Sequence, residues 1–186
     1  MGDRHGALTE PIAAALGELA APMPGWRVYH DHAGAGRQRV WAHLGKEPRT
    51  VDNLSAVDVL LASVPEQQAL LVLEVEETGC PPKTLLGDIL GVALADNISL
   101  AGGSQRFAVT PETELWVCYV ADPRGQQSKR NDRLLARLQA AWGEAPPLGC
   151  IRLVPADSRE DLVETVAGAL RAWFEARSQG SCVEKE

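Results

Sequence analysis

Three acidic residues at the ends of apolar segments are the side chains in this sequence that could do chemistry together. Glu74 and Glu76 close the apolar run 69–76. Because alternate residues of a strand share a face, their two carboxylates are expected to point the same way. Asp58 stands 16 positions before Glu74, at the head of another apolar run. If the two runs are neighbouring strands, the three carboxylates converge on one point.

Carboxylates in such an apolar setting would be costly to bury without partners. Leu70 and Val72 lie on the same strand, so the two glutamates would be half-buried beside them. A divalent cation would offset that cost, and hard cations such as Mg²⁺ take oxygen ligands. The pattern therefore predicts a site for Mg²⁺ or Mn²⁺ at Asp58, Glu74 and Glu76. The alternative is three ordinary surface carboxylates at strand ends.

A basic segment later in the chain could bind nucleic acid. It holds one acid, Asp132, among five basic residues: Arg124, Lys129, Arg130, Arg133 and Arg137. The last three of these have i, i+3, i+7 spacing, which places them on one helix face. Such a face could contact a phosphate backbone. A solvated helix face without a ligand would explain the same residues.

Length and composition restrict the class of protein. The 186 residues suggest one domain, and the apolar and charged fractions are ordinary for a soluble globular protein. The sequence has no apolar run of membrane-spanning length and no signal-like segment after Met1, so we expect a cytoplasmic protein. The net charge of −7 disfavours strong non-specific nucleic-acid binding, but it allows a local basic surface.

Other metal and nucleotide motifs are missing from the sequence. The four cysteines form no C-x-x-C pair and have no histidine at ligand spacing, which disfavours zinc. His30 and His32 share a predicted strand face, as ligands would, but no further His or Cys lies nearby in the sequence. Ordinary strand histidines are therefore the favoured interpretation. The sequence also lacks a P-loop and a complete dinucleotide-binding fingerprint.

The elements that must position the acids begin with a helix and a strand meander. Thr9 before Glu10-Pro11 predicts the cap of a first helix. Strands are expected over residues 26–32, 37–44, 55–63 and 69–76, with a loop over 45–53. The connection between the last two strands is too short for a crossover helix, so we expect these strands to be antiparallel.

A buried helix and two further strand–helix pairs complete the predicted order. Thr84 predicts the start of a helix that runs to about Leu100 and is apolar nearly all round. Gly87 and Gly91 lie on one face of it, which suggests close packing against another backbone. Asp88, its lone acid, could either support the other carboxylates or face a loop. A strand, an amphipathic helix, a short strand and a helix after Ser158 follow over 114–120, 128–142, 150–154 and 158–177.

This order, α-β-β-β-β-α-β-α-β-α, predicts an α/β fold with a mixed sheet and helices on both faces. Ala56-Val57-Asp58, followed by Glu74-Val75-Glu76 and a buried helix, resembles the PD-(D/E)xK nuclease superfamily. The resemblance implies a restriction-endonuclease-like core of a helix, a strand meander, a helix and a further strand over about 9–120. Residues 128–177 would be a C-terminal αβα elaboration within one domain, 1–186.

The resemblance also implies an activity and roles for particular residues. It implies a Mg²⁺- or Mn²⁺-dependent nuclease that acts on DNA, with Asp58 and Glu74 as metal ligands. Glu76 occupies the position that is usually lysine, as in a smaller group of restriction enzymes, and would bind the metal or act on the water. Lys83, just before the helix, could supply the missing lysine.

Two further expectations come with this resemblance. The alternative function is a catalytically inactive domain of the same fold that acts as a binding or assembly module. Cleavage of both strands of a duplex would fit a homodimer.

Overall fold

The computed structural model describes residues 6–31, 39–45, 50–101 and 105–180. The helices in these ranges are α1 (Thr9–Ala20), α2 (Pro82–Ala93), α3 (Gln126–Trp142) and α4 (Arg159–Gly180). The strands are β1 (Trp26–His30), β2 (Val40–His43), β3 (Asn53–Ala56), β4 (Val59–Ser63), β5 (Gln68–Glu76), β6 (Asn97–Leu100), β7 (Arg106–Ala108), β8 (Glu114–Val120) and β9 (Cys150–Ala156). Within these ranges, no helix is long and apolar enough to span a membrane.

The strands of the described residues form one mixed sheet with two arms. In the main arm, β1, β4 and β5 are antiparallel neighbours, and β5, β8 and β9 run parallel. The second arm, β7-β6-β2-β3, leaves β5 at its first residue, where Gln68 pairs with Ala108. The sheet is mixed, as predicted. The antiparallel pairing of β4 with β5 also agrees with the prediction for the strands over 55–63 and 69–76.

Helices cover both faces of the sheet, and the alternation of side chains along β5 shows which helix covers which residue. Val72 joins a buried cluster with Leu85 and Ile89 of α2, and apolar residues of α3 pack against the same cluster. Leu71 and Leu73 face a second cluster, built with α1 and α4. Because residues two apart share a face, Glu74 and Glu76 follow Val72 and lie on the α2 side of the sheet.

Two predicted elements are wrong, each because a strand pairs with a distant partner. The strand expected over 55–63 breaks at Val57 and Asp58. Residues before the break form β3, which pairs with β2, whereas residues after it form β4, which pairs with β1 and β5. The helix expected to reach Leu100 ends at Ala93, and β6 follows, paired with β2 and β7. The strand β3 also begins inside the predicted loop.

The predicted helix caps are correct at one helix and wrong at two. Ser158 caps α4, where the backbone N–H of Asp161 donates to its Oγ at 3.2 Å. Thr9 does not cap α1, because it is already the first helical residue and has no side-chain bond at the cap. Thr84 does not begin α2, which starts at Pro82, because proline is tolerated in a first turn.

Candidate functional site

The structure places Asp58 and Glu74 side by side on neighbouring strands. Val59 pairs with Leu73, so Asp58 lies across from Glu74 at the next position along β4 and β5. The backbone N–H of Val75 donates to Asp58 Oδ2 at 2.7 Å. The backbone of Asp58 in turn lies close enough to the Glu74 carboxylate to lower its pKa, against the larger raising effect of burial. These reciprocal contacts fix both acids at the point where the chain leaves the second arm and enters the main arm.

Glu74 is a buried carboxylate with an unsatisfied oxygen. Its exposed fraction is 6%, and Oε1 has no hydrogen-bond partner among the described residues. Burial raises the pKa of Glu74 well above its usual range, and the charges of Asp58, Asp88 and Glu76 raise it further. A buried acid in this state is costly unless a proton or a cation accompanies it.

Glu76 and Asp88 complete a group of four carboxylates. Glu76 ends β5 in register with Tyr119 and lies on the same sheet face as Glu74. Asp88 lies half-buried on α2, and its Oδ2 is buried without a partner among the described residues. Burial, together with the charges of Glu76 and Asp58, raises the pKa of Asp88 from 3.8 to about 7. The α2 acid therefore lies within electrostatic reach of the strand acids.

Close contact between α2 and β3 explains why Asp88 lies there. A Cβ on Gly91 would lie 2.5 Å from Ser55 Oγ and 2.8 Å from its Cβ, so only glycine allows this approach. Asp88 precedes Gly91 by three residues and shares its side of the helix. Ser55 precedes Asp58 by three residues. The prediction that both glycines pack closely against another backbone is wrong at Gly87, where a Cβ would have no atom of the described residues within 4 Å. At Gly91 the close contact is with the side chain of Ser55.

Two charged residues beside this group have other surroundings. Lys83 is exposed in the first turn of α2 and makes no ion pair within the described part of the chain. The charges that raise the pKa of Glu74 and Asp88 are carboxylates. Glu77 is buried and has a structural role: it accepts a hydrogen bond from the Leu8 N–H at 2.7 Å and pairs with Arg159 at 2.6 Å.

The end of β1 also reaches this region. The N–H of Asp31 donates to the backbone oxygen of Asp58 at 3.0 Å. His30 pairs in register with Val59, whose side chain belongs to the α1 and α4 cluster, so His30 faces away from Glu74. His32 lies outside the described residues.

The basic residues predicted to bind nucleic acid are all exposed at or before α3. They are Arg124, Lys129, Arg130, Arg133 and Arg137. On the opposite side of α3, Leu134, Leu135 and Leu138 pack against the core, so the helix has one apolar and one basic face. A nucleic-acid interface and a solvated helix face both require this exposure.

A buried asparagine ties this basic helix to the segment that follows the acids. Asn131 is fully buried, and its Nδ2 donates to the Cys80 backbone oxygen at 2.9 Å. Gln127, one turn earlier, lies against Gly79. A cleft of about 520 Å³ opens at this end of α3, lined by Asp122, Gln126, Gln127 and Arg130. The helix that has the basic face is thus bonded to the segment that directly follows the carboxylates of β5.

The N-terminus of α3 is already occupied by a side chain. Asp122 accepts hydrogen bonds from the N–H groups of Gln127 at 2.8 Å and Gln126 at 3.1 Å. These are the groups that a phosphate would otherwise use at a helix N-terminus. Any phosphate contact at this end of α3 must therefore come from side chains such as Arg130.

The four carboxylates have the chemistry of a site for a hard divalent cation. They offer only oxygen ligands, which suit Mg²⁺ and Mn²⁺, and two of their buried oxygens have no partner in the part of the chain that the structure describes. Across residues 6–31, 39–45, 50–101 and 105–180, however, no three His, Cys, Asp or Glu side chains are arranged as a ligand set.

Asp88 is the member of the group that the sequence left undecided. Its position as the lone acid of an apolar helix was a visible signal, but the face of α2 on which it would lie was not.

Comparisons with protein-family models, with curated proteins and with solved structures found no match for this chain. The function must therefore be argued from the carboxylates and the basic helix face.

Proposed function

We propose that the protein is a Mg²⁺- or Mn²⁺-dependent nuclease with a restriction-endonuclease-like core, which hydrolyses phosphodiester bonds in DNA. The observation that carries this proposal is the buried Glu74 carboxylate, which has three acidic neighbours and an oxygen without a partner among the described residues. Each nearby negative charge disfavours the ionised form of Glu74, so a purely structural role gives no reason for the arrangement. Strongly shifted pKa values of this kind are concentrated at functional sites.

The order and pairing of the core elements support the fold part of the proposal. The chain passes from α1 through the antiparallel strands β1, β4 and β5 to α2, and then to β8, which is parallel to β5. This is the helix, meander, helix and strand order that the resemblance implies. The strands of the second arm, β2, β3, β6 and β7, are insertions into that order.

Each strand acid has a role that fits its surroundings. Asp58 and Glu74 would hold the metal ion, because both are fixed by backbone contacts and Glu74 has an oxygen to spare. Glu76 is less buried and would orient or deprotonate the attacking water. A divalent cation bound here would neutralise charge on the attacked phosphate and assist the leaving oxygen. Lys83, exposed beside the group, would contact phosphate from outside it.

The exposed basic face of α3 would bind the DNA backbone. Asn131 anchors this helix to Cys80, four residues after Glu76, so the basic face keeps a fixed position relative to the acids. Arg130 lines the cleft at the α3 end nearest that anchor. With a net charge of −7, binding would depend on this local surface and should weaken steeply with salt. A homodimer would present two such centres to a duplex.

Metal binding and DNA cleavage, measured on the same samples, test the proposal. Mn²⁺ is titrated by calorimetry into the wild type and an Asp58→Ala/Glu74→Ala variant, and plasmid nicking is then assayed. We expect binding and nicking in the wild type alone. The matched control is Glu18→Ala/Glu144→Ala, which removes two exposed acids elsewhere and should behave as the wild type does. Equal Mn²⁺ binding by wild type and the Asp58→Ala/Glu74→Ala variant would overturn the proposal.

A second candidate is a catalytically inactive domain of the same fold that acts as a binding or assembly module. Two observations favour it: Glu76 stands in place of the motif lysine, and Lys83 makes no ion pair with the acids within the described residues. This candidate predicts that the wild type binds Mn²⁺ and DNA without nicking. Nicking that is abolished in the Asp58→Ala/Glu74→Ala variant would exclude it.

A further inference from the structure

We propose that Asp88 is the fourth carboxylate of the centre and holds the metal ion from the helix side. This inference rests on the proposed function, because it takes Asp58 and Glu74 to be the ligands on the strand side. It adds a residue on a separate element, so the ion would be held between the sheet and α2.

The packing of α2 supplies the first argument. Leu85, Ile89 and Val92 are fully buried in the core, and Asp88 lies at the edge of this stripe rather than on the solvent side. Its neighbour one turn later, Gly91, is in contact with Ser55 of β3. The close approach of α2 to Ser55 therefore places the side of the helix that holds Asp88 toward the strands.

Unsatisfied hydrogen-bonding capacity supplies the second argument. Asp88 Oδ2 and Glu74 Oε1 come from opposite sides of the site, and both are buried without a partner among the described residues. An ionised carboxylate can only accept hydrogen bonds, and leaving a buried acceptor unpaired destabilises the folded protein. A divalent cation would satisfy both acceptors together while both are ionised.

The surrounding charges agree with this placement. Asp88 acts on Glu74 and on Cys80, whose thiol pKa is raised to about 12 by burial first and then by Asp88 and Glu76. Asp88 thus lies near Glu74, at the end of β5, and near Cys80, which follows that strand. In the described residues, Lys83 brings no positive charge into ion-pair contact with this group.

Mn²⁺ binding, measured without DNA, tests the role of Asp88. Kd values are determined by calorimetry for the wild type, Asp88→Asn, Asp88→Glu and the control Asp132→Asn, which neutralises an exposed acid on α3. Removing a group that supports a metal site typically weakens affinity 10- to 100-fold. We expect a loss of that size in Asp88→Asn, partial recovery in Asp88→Glu, and no change in Asp132→Asn.

Failure of this inference and failure of the proposed function give different results. If Asp88→Asn binds Mn²⁺ as the wild type does, while Asp58→Ala/Glu74→Ala does not, then the Asp88 role is overturned and the strand site stands. If the wild type itself does not bind Mn²⁺, both fail. The increase in melting temperature on adding Mn²⁺ provides a second readout, which should be large in the wild type and small in a folded Asp88→Asn variant.

Discussion

Replacing Asp88 with asparagine should stabilise the metal-free protein at neutral and alkaline pH. Burial and the charges of Glu76 and Asp58 raise the pKa of Asp88 from 3.8 to about 7. The folded state therefore binds this proton more tightly than the unfolded chain does. The free energy of unfolding consequently decreases as the pH rises from about 4 to about 7. Asparagine does not titrate, so the variant escapes this loss.

The two pKa values set an upper limit on the effect. Their difference, 7 − 3.8 = 3.2, corresponds to about 4 kcal/mol at 1.36 kcal/mol for each pKa unit. Asp88 is only half-buried, and solvent screens its neighbours, so we expect about 1 to 2 kcal/mol at pH 8. For a chain of this length, that amounts to an increase in melting temperature of roughly 2 to 8 °C.

Urea denaturation in the presence of EDTA, at pH values from 4 to 8, measures this difference directly. The gap between Asp88→Asn and the wild type should grow with pH and become constant above pH 7. Asp132→Asn, which removes an exposed acid, should show no such pH-dependent gap. A difference that stays the same from pH 4 to pH 8 would show that burial and the strand carboxylates do not raise the pKa of Asp88, and the reasoning about this residue would be refuted.

Two further predictions concern the α2 contact and the basic face of α3. Gly91→Ala should destabilise the protein by about 1 to 3 kcal/mol because its Cβ would meet Ser55, whereas Gly87→Ala, with open space around it, should stabilise by up to about 1 kcal/mol; urea midpoints compare them. Equal effects of the two alanines would contradict this packing. Neutralising three arginines of α3 should weaken DNA binding and reduce the slope of log K against log salt by about 3, while the Mn²⁺ affinity stays unchanged. Fluorescence anisotropy at several salt concentrations measures this slope. An unaltered slope would mean that the basic face is only solvated. The arginines are Arg130, Arg133 and Arg137.

The pairing of the strands that hold Asp58 and Glu74 could be predicted because the two strands are close in the chain. Four residues separate β4 from β5, so the two strands must pair as a hairpin that brings the segments of the two acids together. The register shift between Leu61 and Ala62 then places Asp58 across from Glu74 rather than Leu73, and no pattern in the sequence indicates it. The face on which Glu74 and Glu76 lie also follows from strand alternation. Local pattern and short connections therefore predict which strands hold these acids and that Glu74 and Glu76 share a face.

The rest depended on contacts between residues that are far apart in the chain. The residues on either side of Asp58 both have strand-like patterns, and only their pairing with different partners divides them into β3 and β4. The side of α2 that Asp88 occupies depends on the contact between Gly91 and Ser55. Glu76 and Glu77 are adjacent residues of the same type, and only the structure shows that Glu77 pairs with Arg159, which lies 82 residues away. No local pattern encodes these choices.

The break at Asp58 makes this residue a junction between the two arms of the sheet. Its side chain holds the backbone of β5, and the segment before it continues into the second arm. An ion bound by Asp58, Glu74 and Asp88 would cross-link this junction to a strand and a helix, so opening either arm locally would require release of the ion. Amide hydrogen exchange at Val75 and along α2 should then slow together when the ion binds, which would make the centre a staple for the fold as well as a site for chemistry.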